Sequence, residues 1–137
     1  MSRILALDYG DKRIGVALSD PMNWTAQPLA YVENGSKMWQ AFQKLVSEYE
    51  VESIIVGLPK NREGGDSEKA KHVRVFAEEL ANQTKCKIIF RDERFSTKAV
   101  ERHLIAADVS REKRRMVIDS QSAAFVLQGY LDSLGGH

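Results

Sequence analysis

The chain has 137 residues, of which 20 are lysine or arginine and 19 are aspartate or glutamate, so its formal net charge is +1. This length is typical of one compact domain, and this charge excludes a protein that binds nucleic acid through a strongly basic overall field. The single cysteine excludes an internal disulfide, no apolar stretch reaches the roughly 18–20 residues of a membrane span, and the N-terminus lacks the apolar core of a signal peptide; we therefore expect a cytoplasmic protein with no membrane partner.

The first third of the sequence reads as three short strands joined by tight turns. Apolar runs predict these strands at residues 3–8, 14–20 and 29–33. Residues 21–28, with a proline at each end, are predicted to form the turn region before the third strand. Such short strands with Gly, Asp and Asn turns favour an antiparallel meander.

Helices and strands alternate in the rest of the chain. Apolar residues spaced by three and four predict helices, and short continuous apolar runs predict buried strands. In chain order these are a helix within residues 34–49 with Ser36 as its N-cap, a strand at 52–59, a helix through 70–81, a strand at 86–93, a short helix at 96–104 and a long helix at 112–134. The order predicts an α/β fold, a mixed five-stranded sheet (three-stranded antiparallel meander plus two parallel strands) flanked by helices.

Asp8 is an acidic residue at the end of a strand that should be buried. Burying a carboxylate is costly unless a cation or several hydrogen-bond donors satisfy it. Asp92 and Glu93 end the fifth predicted strand in the same way. Because functional sites of open α/β sheets gather at the carboxyl ends of the parallel strands, we expect these acids to lie at one edge of the sheet.

Asp119 is a further acid in a position that should be apolar. At about 100° per residue it falls on the predicted core-facing stripe of the last helix. Asp132 comes out roughly 220° away from it and is expected to be solvent exposed. The stripe is completed by Ala123, Val126, Leu127 and Tyr130.

Three carboxylates from separate elements, Asp8, Glu93 and Asp119, are suited to Mg²⁺ or Mn²⁺, which prefer oxygen ligands. Two such ions about 3.5–4 Å apart can activate a water and stabilise the leaving oxygen in phosphodiester hydrolysis. A structural role is the alternative for each acid alone: Asp8 or Asp119 could cap a turn or a helix, and Glu93 could pair with Arg91 or Arg94.

Four blocks of the sequence resemble, in order and spacing, the signature blocks of the YqgF family: ILALDYGDKRIGVALSD, IIVGLPKNREG, DERFST and AADVSREKRRMVIDSQSAAFVLQGYLD. The resemblance covers essentially the whole chain. It implies the RNase H-like fold shared with RuvC-type resolvases, as a single nuclease domain of residues 1–137. It also implies endonuclease activity on structured nucleic acid, either 5′-end maturation of pre-16S ribosomal RNA in ribosome biogenesis or cleavage of four-way Holliday junctions in recombination and repair.

The resemblance implies that Asp8, Glu93 and Asp119 are the catalytic and metal-binding residues. Asp8 is expected to bridge two Mg²⁺ or Mn²⁺ ions, with Glu93 and Asp119 each completing the coordination of one. Asp92 is expected to orient local backbone or an arginine, because successive residues of a strand point to opposite faces.

The basic segment at residues 110–115 immediately precedes Asp119. Such a segment can supply the phosphate contacts that dominate nucleic-acid affinity. The expected partner is nucleic acid, either pre-rRNA of the ribosomal small-subunit precursor or branched DNA, bound by a monomer or weak homodimer. The predicted nucleic-acid-binding residues are Lys12, Arg13, Lys60, Arg62, Arg94, Arg111, Lys113, Arg114 and Arg115.

Two other classes of function stay open from the sequence. The segment DYGDKRIGVA also resembles the first phosphate-binding hairpin of the actin, sugar kinase and Hsp70 superfamily, which would imply an ATP-binding phosphotransfer module. The sequence has no second Asp-Gly hairpin of this kind. A non-catalytic module that binds RNA or a transcription complex is the other alternative, and the presence of all three acids argues against it.

Overall fold

The computed structural model describes residues 2–59, 67–92 and 111–134, with the side chains of residues 111–119 outside that description. The predicted short helix at 96–104 and the loop at 60–66 therefore lie outside the described residues. In chain order the elements are β1 (Arg3–Asp8), β2 (Arg13–Ser19), β3 (Ala26–Glu33), α1 (Met38–Tyr49), β4 (Val51–Leu58), α2 (Glu68–Thr84), β5 (Lys87–Asp92) and α3 (Arg111–Ser133).

The five strands form one mixed sheet in the order β3-β2-β1-β4-β5. β1, β2 and β3 are antiparallel neighbours, whereas β4 runs parallel to both β1 and β5. This arrangement confirms the predicted meander followed by two parallel strands. It also places β1 at the centre of the sheet, so that the carboxyl ends of β1, β4 and β5 lie at one edge.

The two faces of the sheet pack against different helices. On the α1/α2 face, alternate strand residues such as Leu5, Leu7 and Val56 pack in one core with Phe42 of α1 and Leu80 of α2. The intervening strand residues form the α3 face. There the buried strand side chains are Ala6, Ala17 and Ile55, and α3 contributes Ala123, Ala124, Val126, Leu127 and Leu131.

Two side chains of α3 fix the helix on the meander through three hydrogen bonds. The Ser120 hydroxyl, which is buried, donates to the carbonyl oxygen of Leu29. Gln128 accepts from the Ala26 backbone N–H at 3.0 Å and donates to the Trp24 carbonyl oxygen at 3.0 Å. Because β3 lies at the edge of the sheet, these bonds tie α3 across the sheet to its outermost strand.

Within the described residues, no helix is both long and apolar enough to cross a membrane.

The structure differs from the sequence prediction at two boundaries. β3 begins at Ala26 and includes Pro28, which was predicted to lie in a turn. Proline is compatible with this position because an edge strand has one side without a ladder partner. α1 begins at Met38 with Lys37 as the N-cap residue and no side-chain cap, so the prediction of Ser36 as the N-cap was wrong.

The turn between β2 and β3 is built on Asp20. Its carboxylate accepts hydrogen bonds from the backbone N–H of Trp24 at 2.6 Å and of Thr25 at 3.0 Å. Its own backbone donates to the Thr25 carbonyl and accepts from the Asn23 N–H, both at 2.9 Å. The hydrogen bond from Thr25, followed by that from Trp24, lowers the pKa of Asp20 below its ordinary value.

Exchange of Asp20 for asparagine is expected to make the melting temperature depend less strongly on pH under acidic conditions. Because the folded-state pKa lies below the unfolded value, the carboxylate stabilises the fold above the unfolded pKa and this contribution is lost as the pH falls through the folded pKa. Thermal unfolding of wild type and Asp20→Asn, followed by circular dichroism from about pH 6 to about pH 2, measures the difference. A gap in melting temperature that stays constant over this range would contradict the prediction.

Candidate metal and nucleic-acid site

Asp8 ends the central strand β1 and lies on the α3 face. Ile4 and Ala6, four and two residues before it, pack in the α3-face core, and strand residues two apart share a face. Asp8 is half-buried, and its register partner on β2 is Gly15. The three residues before Asp8 are fully or almost fully buried. The structure therefore places an acidic residue at the end of a buried run, as the sequence predicted.

Asp8 has a glycine beside it on each neighbouring strand. Gly15 pairs with it on β2. On the other side, Leu7 pairs with Val56, so the next step of the parallel register brings Asp8 beside Gly57 of β4. Gly57 in turn pairs with Arg91 of β5. A row of four residues thus crosses the α3 face at the carboxyl edge of the sheet, and we call Gly15–Asp8–Gly57–Arg91 the edge row.

A row of apolar residues lies next to the edge row and shows that the edge row belongs to the α3 face. Ala6 pairs with Ala17 and Ile55, and Ile55 pairs with Ile89; all four belong to or pack against the α3-face core. The edge row lies two residues further along each parallel strand. The residues on both sides of Asp8 in this row are therefore glycines, which contribute no side chain, and both are buried.

Asp119 belongs to α3, the helix that covers this face. Its own side chain lies outside the described residues. The predicted stripe is confirmed for its other members: Ala123, Val126 and Leu127 are buried, and Tyr130 is partly buried against the α3-face core. Asp132 is exposed, as predicted, and accepts a hydrogen bond from Gln128 at 3.0 Å.

Asp92 lies on the other face of the sheet from Asp8. Ile88 and Phe90, which share its parity on β5, pack against the α1/α2-face core, and Asp92 itself is exposed. Glu93 lies outside the described residues. Among the residues that are described, no group of three or more His, Cys, Asp or Glu side chains could hold a metal ion. The metal-ligand assignments of Glu93 and Asp119 thus remain predictions.

The structure describes two of the residues predicted to bind nucleic acid, Lys12 and Arg13. Lys12 is exposed in the turn between β1 and β2. Arg13 begins β2, and its guanidinium lies 5.2 Å from the ring centroid of Tyr31. Arg111, Lys113, Arg114 and Arg115 fall in the first turns of α3 without described side chains, and Lys60, Arg62 and Arg94 lie outside the described residues.

Arg91 was considered from the sequence as a partner of Glu93 and was not predicted to contact substrate. Its guanidinium extends to the C-terminal part of α3, 5.9 Å from the ring centroid of Tyr130. A Cβ atom on Gly129 would lie 3.6 Å from its terminal nitrogen. In the sequence, Arg91 is a charged residue two positions after Ile89 in a segment that is otherwise apolar. Residues two apart on a strand share a face, so Arg91 lies on the same face as Ile89.

Cys86 is a packing residue in this structure. The thiol is buried and its sulfur lies 3.4 Å from the Val51 carbonyl oxygen. Burial raises the pKa of the Cys86 thiol, so the reactive thiolate is disfavoured at neutral pH.

Resolvases of known structure share this fold. Thermus thermophilus RuvC, solved in complex with a Holliday junction substrate, superposes with a TM-score of 0.56 at 10% identity over 99% of this chain and 97% of RuvC. The fowlpox virus resolvase, solved with Holliday junction DNA, gives 0.57 at 16% identity over 96% and 98% of the two chains. The fold is therefore the RNase H-like fold of RuvC-type resolvases. The family model RuvX, described as a Holliday junction resolvase, matches residues 2–133, and the chain belongs to that family.

Curated relatives match over nearly the whole chain. A protein of Desulforamulus reducens is 49% identical over 133 residues, covering 96% of this chain and 97% of the relative. A protein of Bacillus mycoides is 47% identical over 135 residues, covering 96% and 98%. Both carry the name "Putative pre-16S rRNA nuclease". Together with the family match, these relatives confirm the resemblance to the YqgF family and identify the chain as an enzyme of the nuclease class.

Proposed function

We propose that this protein is a divalent-metal-dependent endonuclease that matures the 5′ end of pre-16S rRNA, with residues 1–137 acting as one nuclease domain. The relatives named for this RNA are 47–49% identical to it over almost their full length, whereas the resolvases of known structure are 10–16% identical. Cleavage of a four-way DNA junction is the second candidate, because the family description and both of these resolvases point to junctions.

The placement of Asp8 is the observation that carries the proposal. It is a half-buried carboxylate at the end of the central strand, on the face covered by the helix that contains Asp119. Glu93 follows β5 at the parity of Ile89 and Arg91, both of which lie on the α3 face. We assign Asp8, Glu93 and Asp119 as the catalytic, metal-binding acids on this basis.

The residues fit a site for Mg²⁺ or Mn²⁺. The donor set consists of carboxylates, which both ions prefer, and the two residues beside Asp8 in the sheet are glycines, which add no side chain of their own next to its carboxylate. When bound, a pair of ions supplies an activated water and stabilisation of the leaving oxygen. Asp8 is held by strand pairing on both sides, which fixes the position of its backbone in the centre of the sheet.

Cations around this edge of the sheet would bind the phosphate backbone. Lys12 and Arg13 lie next to the carboxyl end of β1, and Arg111, Lys113, Arg114 and Arg115 belong to the first turns of the helix that carries Asp119. We assign them, with Lys60, Arg62 and Arg94, to contacts that position nucleic acid without reading its sequence. The partner is then the small-subunit rRNA precursor in the cytoplasm, bound by a monomer, since one cut in one strand needs one site.

The proposal is tested by incubating purified protein with a 16S rRNA precursor that retains its 5′ extension and, in parallel, with an immobile four-way DNA junction. Each reaction is run with Mg²⁺, with Mn²⁺ and with EDTA. We expect endonucleolytic cleavage of the precursor RNA in the presence of either ion and no cleavage in EDTA. Mapping the product by primer extension shows whether the cut lies at the mature 5′ end.

The other outcomes have distinct meanings. Paired cuts in the junction without cleavage of the RNA would replace the RNA by branched DNA as the substrate. Absence of cleavage of both would contradict the endonuclease proposal, and cleavage that persists in EDTA would contradict its metal dependence. A preparation of Asp8→Asn, purified in the same way, measures any contaminating nuclease.

A further inference from the structure

We propose that Asn34 is a positioning residue for nucleic-acid binding, which holds the turn between β1 and β2 so that Lys12 contacts a phosphate. The β1–β2 turn comprises residues 9–12 and follows Asp8 directly. This inference rests on the proposed function, because it concerns how the same site binds its substrate. Two hydrogen bonds from Asn34, the tight backbone of the turn and the exposed position of Lys12 support it.

Asn34 contacts the β1–β2 turn at two points. Its backbone N–H donates to the Lys12 carbonyl oxygen at 2.9 Å, and its side-chain amide donates to the Gly10 carbonyl oxygen at 2.9 Å. Asn34 directly follows the last residue of β3, so both bonds join the turn to a strand that is remote in sequence. Within the described part of the chain, these are the hydrogen bonds that residues 9–12 form outside the strand ladders. The conformation of the turn therefore depends on Asn34.

The backbone of the β1–β2 turn is tightly folded around Gly10. A Cβ atom on Gly10 would overlap the carbonyl oxygen of Arg13, the first residue of β2. Before Gly10, the ring of Tyr9 packs against Phe76, with the ring centroids 4.7 Å apart. The two ends of the turn are thus fixed by packing, and the hydrogen bonds from Asn34 fix its middle.

Lys12 is the cation that this turn presents. It is exposed and lies four residues after Asp8, beyond the carboxyl end of the central strand. Within the described residues, neither Lys12 nor its exposed neighbour Asp11 forms an ion pair. Lysine binds phosphate as a point charge on a flexible side chain, and this binding costs less conformational entropy when the backbone is already ordered. Asn34 supplies that order and so raises affinity without contacting the substrate itself.

A double-mutant cycle tests whether Asn34 acts through Lys12. Dissociation constants of wild type, Asn34→Ala, Lys12→Ala and the double variant are measured by fluorescence anisotropy in EDTA, for precursor RNA and for the four-way junction. Lys12→Ala is expected to weaken binding about tenfold, the effect of losing one charge-assisted contact. Asn34→Ala is expected to weaken it about threefold to tenfold, because Lys12 must then be ordered on binding. The double variant should bind no more weakly than Lys12→Ala, since the two residues contribute to one contact.

Single-turnover cleavage gives a second measurement that a purely structural residue would not change in this way. Asn34→Ala is expected to raise the protein concentration needed for half-maximal cleavage and to leave the maximal rate at its wild-type value. This division is characteristic of an interaction that is equally strong in the ground state and in the transition state.

Asn23 provides a matched control in the turn at the opposite edge of the sheet. Its side-chain amide donates to the Ser2 carbonyl oxygen at 3.1 Å and accepts from the Ser19 hydroxyl at 2.6 Å. Because its φ is 57°, glycine is the exchange that removes the amide without straining the backbone. Asn23→Gly is expected to lower the melting temperature and to leave the affinity for both nucleic acids unchanged.

Three results would overturn the inference. Additive losses in the double variant would show that Asn34 does not act through Lys12. Wild-type affinity of Asn34→Ala together with a lowered melting temperature would make Asn34 a structural residue, and equal losses of affinity in Asn34→Ala and Asn23→Gly would assign the effect to general destabilisation. Failure of the wild-type protein itself to bind either nucleic acid would instead count against the proposed function, and the inference would fall with it.

Discussion

Replacing Asp8 with asparagine is expected to reduce metal-dependent cleavage by about a hundredfold or more and to leave the protein folded. Asparagine keeps the shape of the side chain and removes its negative charge, which is what a divalent cation requires of a ligand at this position. Loss of a single preorganised electrostatic group in an active site typically costs 10²–10³-fold in rate. Single-turnover cleavage of the precursor RNA, measured over a Mg²⁺ titration, gives the effect on rate and on metal affinity.

Asp132→Asn is the matched control for this experiment. Asp132 is an exposed acid near the end of α3 that accepts a hydrogen bond from Gln128, and it undergoes the same chemical exchange. We expect this variant to cleave at the wild-type rate. Equal rates for Asp8→Asn and wild type, with both proteins folded by circular dichroism, would show that Asp8 is not part of the catalytic machinery.

Gly57→Val is expected to reduce cleavage by about a hundredfold and also to lower the melting temperature, because Gly57 is buried and a larger side chain must displace its neighbours. Gly57 is part of the α3-face row beside Asp8, about 4.8 Å away across the parallel pair. A branched side chain there would fill the space next to the carboxylate and displace whatever binds to it, and misplacement by about 1 Å can cost 10²-fold in rate. Valine has a favourable strand propensity, but an added side chain at this buried position is expected to cost about 1–3 kcal/mol of unfolding free energy.

Ile55→Val distinguishes a blocked site from a disturbed sheet. Ile55 lies on the same strand and face, two residues before Gly57, and is fully buried. This exchange is expected to cost about 0.5–1.5 kcal/mol of unfolding free energy with little effect on cleavage. Wild-type cleavage by Gly57→Val, or equal losses of cleavage in the two variants at equal stability, would contradict the requirement for glycine beside Asp8.

The sequence predicts the strands well because their pattern is unambiguous. Short apolar runs ended by Gly, Asp or Pro locate β1, β2, β4 and β5 to within one residue. β3 was placed three residues too late because Pro28 was interpreted as a turn signal. Whether a proline stands in a turn or in a strand depends on whether that strand lies at the edge of the sheet, and this is a property of the whole sheet.

The candidate site is predicted in part, for a physical reason. Asp8 is identified because a carboxylate directly after a buried run is costly in free energy unless it has a partner. The apolar stripe on α3 is identified because helical periodicity is regular. Arg91 is not singled out as a member of the edge row because that position depends on lateral pairing of the strands. Only the register shows that Gly57 separates Arg91 from Asp8, and only the packing of α3 shows that the guanidinium lies near Tyr130.

The small side chains at the contact between α3 and the sheet set how far the helix stands from the strands. Ala6 and Ala17 on the sheet face Ala123 of the helix, and all three are fully buried. Alanine at such positions lets a helix axis approach a sheet more closely than leucine or phenylalanine would. Aspartate is the shortest acidic side chain, so an aspartate on the helix and one on the strand can reach a common ion only across a narrow layer. Under the proposed function, the alanines would thus set a helix-to-sheet distance that is short enough for two aspartates to share an ion.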